Sequence, residues 1–230
     1  MKIFLLLTDF SGNAEHAQMS SVIVIEKLQT EGDLNHTYYD NRLIGACARG
    51  SMIIEKFSLL EKERVIKLNR LAFRLCTIII HSSINNFHPK IDFQCAEESL
   101  GDNAATILKE KEVEMIVVWL SANSRIHNLF FGNDSLSVIE NSSRQLLILS
   151  KIGEIQKIRK VTLATAFELL DLSAITYLFK LNIVLSYDLE IVHVSLQGQI
   201  ENAVKKSQFK AILKQNSKTL FPIARYMEKI

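Results

Sequence analysis

Three unbroken apolar runs limit what this chain can fold into: Ile3–Leu7, Met115–Trp119 and Leu146–Leu149. Each is too short for a stable helix and has no polar alternate residues to face water. Each therefore suits a strand buried on both faces. Such strands belong to parallel sheets, and parallel neighbours need crossover connections, usually helices.

The stretches between the runs supply those helices. Ser11-Gly12-Asn13 starts one, in which Ala14, Ala17, Ser21, Val22, Ile25 and Leu28 recur at three- and four-residue steps until Gly32 stops it. Leu34–Asp40 reads as a second strand, unusually polar for a central position because of Asn35 and His36. From Met52 to Leu75, Ile53, Phe57, Leu60, Val65, Leu68, Leu71 and Leu75 mark the apolar side of a long helix. Glu55, Lys62, Glu63, Lys67 and Arg70 fall mostly on its other side. After a loop containing Pro89, Ile91–Ala96 reads as a strand and Ala104–Lys111 as a helix leading into Met115–Trp119. A helix over Asn133–Ser142 precedes the last run, so the expectation is an α/β fold with a five-stranded parallel sheet flanked by helices.

The pattern then restarts. Lys160–Phe167 can be laid on Ile3–Phe10 with Thr165 on Thr8 and Phe167 on Phe10. Leu169–Leu185 follows as a helix, Leu189–Val194 as a strand, Gln199–Gln215 as a helix and Leu220–Tyr226 as a third strand. The expected organisation is a complete domain over residues 1–150, a polar linker over 151–159 and an incomplete second copy over 160–230.

Charge and cysteine usage narrow the function classes. A formal net charge of +2 offers no basic face for a nucleic acid. Three cysteines, Cys47, Cys76 and Cys95, have neither disulfide-framework nor zinc-ligand spacing and read as reduced thiols. Asp9 follows the apolar start at once, which argues against a signal peptide, and no run reaches the ~20 apolar residues of a membrane span. A cytoplasmic protein with no membrane partner is expected. The histidines have no HExxH or paired ligand spacing, no GxSxG elbow surrounds a serine, and Cys95 lacks an activating neighbour. No metal site, no catalytic constellation and no enzyme activity are expected.

Leu7-Thr8-Asp9-Phe10-Ser11 with Asn13, Ala14 and Ala17, then Gly101-Asp102 opening a helix ahead of Met115–Val118, resembles the universal stress protein family. The resemblance covers the first 150 residues, and Ile191–Val194 looks like the end of the family's second strand. It implies a Rossmann-like sheet of order 3-2-1-4-5, in a family where tandem domains are common. It also implies an ATP site in those members that keep a loop of Gly, two residues, Gly, nine residues, then Gly followed by Ser or Thr. Glycines there let backbone N–H groups approach phosphates at a helix start. Here Gly132 fits the last glycine, Trp119 and Ala122 replace the two earlier ones, and Asn133 stands in the hydroxyl position.

The resemblance makes Asp9, Gly132, Asn133 and Ser135 the candidate nucleotide-binding residues, weakened by Trp119 and Ala122. Asp9 equally suits a residue capping the first helix, and the Gly132–Ser135 region suits an ordinary helix start. Arg125 and His127 lie in the same loop and suit a solvated loop better than an anion site. In the second copy Ala166 replaces Asp9, so family-like nucleotide binding is not expected there. The leading expectation is a non-catalytic stress-response or protein-interaction module with a degenerate nucleotide site and no cofactor. It would be a homodimer or an intramolecular pseudo-dimer with a protein partner. The alternative is a regulator that binds ATP or another adenine nucleotide.

Overall fold

In the computed structural model of the chain, the described residues are 2–38, 50–82, 87–119, 137–140, 142–149, 158–166, 168–194, 207, 211 and 224–229. The chain divides into two units, Met1–Ile155 and Gln156–Ile230.

In the first unit the apolar runs form strands together with two more polar segments: β1 (Ile3–Leu7), β2 (Glu31–Thr37), β3 (Ile91–Ala96), β4 (Val113–Trp119) and β5 (Gln145–Leu149). They make one parallel sheet ordered β3-β2-β1-β4-β5. The expected fold and strand order are therefore present. β1 is buried at every position, as an unbroken apolar run at a sheet centre requires.

The crossovers are α1 (Gly12–Lys27), α2 (Gly50–Ser82) and α3 (Leu100–Glu110). α1 packs against β4 and α2, and α2 against β3. Leu68, Leu71, Ala72, Leu75 and Ile79 are the buried line of α2, while Val65, expected among them, lies at the surface. Residues 137–140 are helical, within the helix expected over Asn133–Ser142. α3 starts at Leu100, earlier than Ala104, because Ser99 caps it by accepting a bond from the Asp102 N–H.

Gly32 does not stop α1. The helix ends at Lys27, and Gln29 takes the left-handed conformation (φ 52°) that a glycine commonly fills. The Gln29 N–H bonds to the Glu26 carbonyl and the Thr30 N–H to the Ile25 carbonyl, both at 3.1 Å, which closes the last turn. Gly32 lies inside β2, where a Cβ would come within 2.5 Å of the Ile91 side chain. β2 consequently begins at Glu31, ahead of the expected Leu34, and ends at Thr37.

Asp33, Asn35 and His36 of β2 are buried, each with a partner for at least one polar atom, while Asn35 Oδ1 has none among the described residues. Asp33 pairs with Lys111, Asn35 donates to Asp33 Oδ1 at 3.0 Å, and His36 bonds the Thr8 carbonyl.

The second unit contains β6 (Lys160–Ala164), α4 (Leu169–Leu185), β7 (Asp188–Val194) and β8 (Ala224–Lys229), with a parallel sheet ordered β6-β7-β8. Of the expected Leu220–Tyr226 strand, residues 220–223 lie outside the described residues, and residues 224–226 lie in β8. Of the expected Gln199–Gln215 helix only residues 207 and 211 are described, both helical. Ile175, Phe179, Tyr187, Leu189 and Ile191 form the core.

The internal geometry repeats the first unit at one constant displacement. Ile3 pairs with Glu31 and Lys160 with Asp188; Leu7 pairs with Asn35 and Ala164 with Val192. Gln29 and Ser186, the left-handed residues ending α1 and α4, are related by the same displacement. Gly32 meets Ile91 in register as Leu189 meets Ala224, so the pairing recurs at the third strand, although the third strands themselves are related by a shorter displacement than the first two.

Candidate functional site

β1 and β4 are adjacent in the sheet although far apart in sequence, because strand order reverses between them. In open α/β sheets that reversal leaves a crevice at the carboxyl ends of the strands, where ligands bind. Asp9 and Phe10 leave β1 there, Tyr38 leaves β2, and Trp119 ends β4.

The turn from β1 into α1 is tightly fixed. The Thr8 N–H donates to the Asn35 carbonyl at 2.9 Å, extending the sheet by one residue. The Phe10 N–H donates to Thr8 Oγ1 at 3.0 Å and the Ser11 N–H to Asp9 Oδ1 at 2.8 Å. Ser11, not Asp9, caps α1, since its hydroxyl accepts from the Ala14 N–H at 3.2 Å. The capping role expected of Asp9 is thus filled by Ser11, and Asp9 is an exposed residue bracing the turn. Phe10 takes a left-handed backbone (φ 61°), a costly conformation for a bulky side chain and one that surrounding structure must hold in place.

His36 does much of that holding. Its Nδ1 lies 2.7 Å from the Thr8 carbonyl, which can only accept, so Nδ1 carries the proton and Nε2 is the acceptor of the neutral ring. The imidazole also meets the Phe10 ring at 4.3 Å between centroids, tilted by 44°. Burial pushes the His36 pKa below its ordinary value; the Thr8 carbonyl bond opposes this, Arg64 reinforces it, and Asp9 opposes it more weakly. Cys95 is the register partner of His36 on β3, and burial raises its pKa, which keeps it a thiol rather than a nucleophile. Arg64 of α2 lies 4.2 Å above the Tyr38 ring.

On the other side of β1, Trp119 ends β4 two residues beyond Val117, the register partner of Leu6. It is only 9% exposed and pairs in register with Leu149. A buried indole therefore stands where the resemblance places the first loop glycine. Ala122, Arg125, His127, Gly132, Asn133 and Ser135 lie outside the described residues.

Sequence reasoning missed the histidines. His193 Nδ1 lies 2.8 Å from the Thr165 carbonyl, and both histidines follow their threonine by 28 positions. That shared spacing was the available signal. In the second unit the turn is filled from within: Asp171 Oδ2 accepts from Thr165 Oγ1 at 2.6 Å, from the Glu168 N–H at 3.0 Å and from the Ala166 N–H at 3.1 Å. These donors are already engaged by a carboxylate of the chain itself.

No family model and no curated protein matches the chain. Solved structures do. A universal stress protein from Archaeoglobus fulgidus DSM 4304 is similar with a TM-score of 0.64 at 16% identity, over 99% of this chain and 77% of that one. A putative universal stress protein from Pseudomonas aeruginosa UCBPP-PA14 gives a TM-score of 0.58 at 9% identity, over 100% and 75% respectively. The universal stress protein UspA from Lactobacillus plantarum gives 0.50 at 13% identity, over 64% of this chain and 97% of that one. The fold is that of the universal stress proteins. Among the described residues, no helix is long and apolar enough to cross a membrane, and no cluster of His, Cys, Asp or Glu is arranged to hold a metal ion.

Proposed function

We propose that this chain is a universal stress protein whose nucleotide crevice has degenerated, and that it acts in the cytoplasm without catalysis by binding a protein partner. The observation that carries the reading is Trp119. Its indole is buried at the end of β4, where an open nucleotide loop requires bare backbone. The engagement of the second unit's turn by Asp171 supports the same reading, because N–H donors already bonded to a carboxylate are not offered to a phosphate. Pairing between copies suits the edge strand β5, which exposes Ile148.

A second reading, an adenine-nucleotide-binding regulator, is favoured by one feature. Asp9 remains exposed at the end of β1, with only its Oδ1 engaged by the turn. Thermal melting in saturating ATP separates the two, since a ligand of the folded state raises the midpoint by mass action. No rise is expected. A rise of several degrees that Asp9→Ala abolishes would replace the first reading with the second.

A further inference from the structure

Beside this crevice lies a second concavity, lined by α2 and the start of α1, and among the described residues Asp9, the one expected nucleotide residue that is described, does not line it. Lys67, Arg70, Leu71 and Arg74 of α2 face Phe10 and Glu15 across a cleft of about 290 Å³. Lys67, Arg70 and Arg74 recur at three- and four-residue steps, which puts their charges along one side of the helix. Three cations and one carboxylate thus line the cleft. Glu15 pairs with Arg74, and Lys67 is held by Glu63 at 2.8 Å on the outer surface of α2. Arg70 has no ion pair among the described residues. The remaining lining is apolar: Leu71 is buried, and Phe10 is the residue whose left-handed backbone is braced by Thr8, Asp9 and His36.

We propose that this cleft binds a small aromatic phosphomonoester. Strained backbone tends to persist at ligand-contacting sites, and here it fixes an aromatic ring in the wall of a cationic cleft. The planar fork of Arg70 suits bidentate bonding to a phosphate. Phe10 and Leu71 suit a flat ring. The cleft is open to solvent on one side, and its volume is enough for about one ring and one phosphate. Glu15 is then a competitor, because its carboxylate occupies Arg74 until a phosphate displaces it.

The test is titration of the isotope-labelled full chain with phenyl phosphate, inorganic phosphate and benzyl alcohol, following the backbone amides of Phe10, Glu15, Arg70 and Arg74 by NMR. Phenyl phosphate is expected to saturate with a Kd on the order of 1 mM or tighter, and the other two to bind at least about tenfold more weakly. Arg70→Glu should weaken phenyl phosphate by about tenfold or more. Glu15→Gln should tighten it severalfold by freeing Arg74, a gain that misfolding does not produce. No saturable shift, unchanged binding in Arg70→Glu, no gain in Glu15→Gln, or inorganic phosphate binding as tightly as phenyl phosphate would each overturn the assignment.

Discussion

Replacing His36 with leucine removes a ring N–H from the Thr8 carbonyl and an aromatic partner from Phe10, while roughly preserving apolar volume. Thr8 is only 1% exposed, so its carbonyl loses a bond that water does not readily replace. Leaving a buried acceptor short of its donor costs about 1–3 kcal/mol. The tilted ring contact adds about 0.5–1.5 kcal/mol. The variant should therefore lose about 2–4 kcal/mol, and the turn holding Phe10 should loosen with it. The chain has a single tryptophan, Trp119, which lies in the first unit, so urea unfolding followed by its fluorescence reports that unit. A second signature comes from the lowered His36 pKa. The stability tied to the neutral ring is fully present above the ordinary value of 6.5 and is lost as pH falls through the lower folded value. Wild type should weaken over that window, and the leucine variant should lack this component. A loss below about 0.5 kcal/mol, or the same pH dependence in both proteins, would refute the assigned role.

Gly101→Ala should destabilise the first unit by about 1 kcal/mol net, since the new Cβ would lie 2.6 Å from Ser137 Oγ and 2.8 Å from Ser137 Cβ, outweighing the better helix propensity of alanine. Adding Ser137→Gly should recover part of that loss in the same unfolding assay, and no recovery would mean that the contact is not the cause. Gly32→Ala should be milder, because the atom it meets is the mobile end of Ile91. Leu147→Lys on the edge strand β5 should shift the species seen by light scattering towards monomer, and an unchanged mass would remove β5 as the pairing edge.

Legibility followed how local the determinant was. β1 and α4 occupy Ile3–Leu7 and Leu169–Leu185 as expected, because apolar stretches of strand length and of helix length are local signals. β2 was harder. Its buried Asp33 depends on Lys111, 78 positions away, and no sequence window joins the two. The end of α1 misled because Gln29 took the left-handed position that the nearby Gly32 was expected to supply. Asp9 leaves the end of β1, but the capping role expected of it belongs to Ser11. His36 carries no sequence motif, since a ring bonded to a backbone carbonyl leaves none. Only the duplicated spacing from threonine to histidine gave it away, and that becomes meaningful once the strands are paired.

The central claim is that the crevice beside Trp119 no longer holds a nucleotide, and the most direct measurement is occupancy. The purified protein would be denatured and its released small molecules analysed by mass spectrometry, with a parallel ATP titration by calorimetry. The account predicts no retained adenine nucleotide and no titratable heat. Adenine nucleotide recovered near one per chain, or a saturable ATP heat lost in Asp9→Ala, would contradict it.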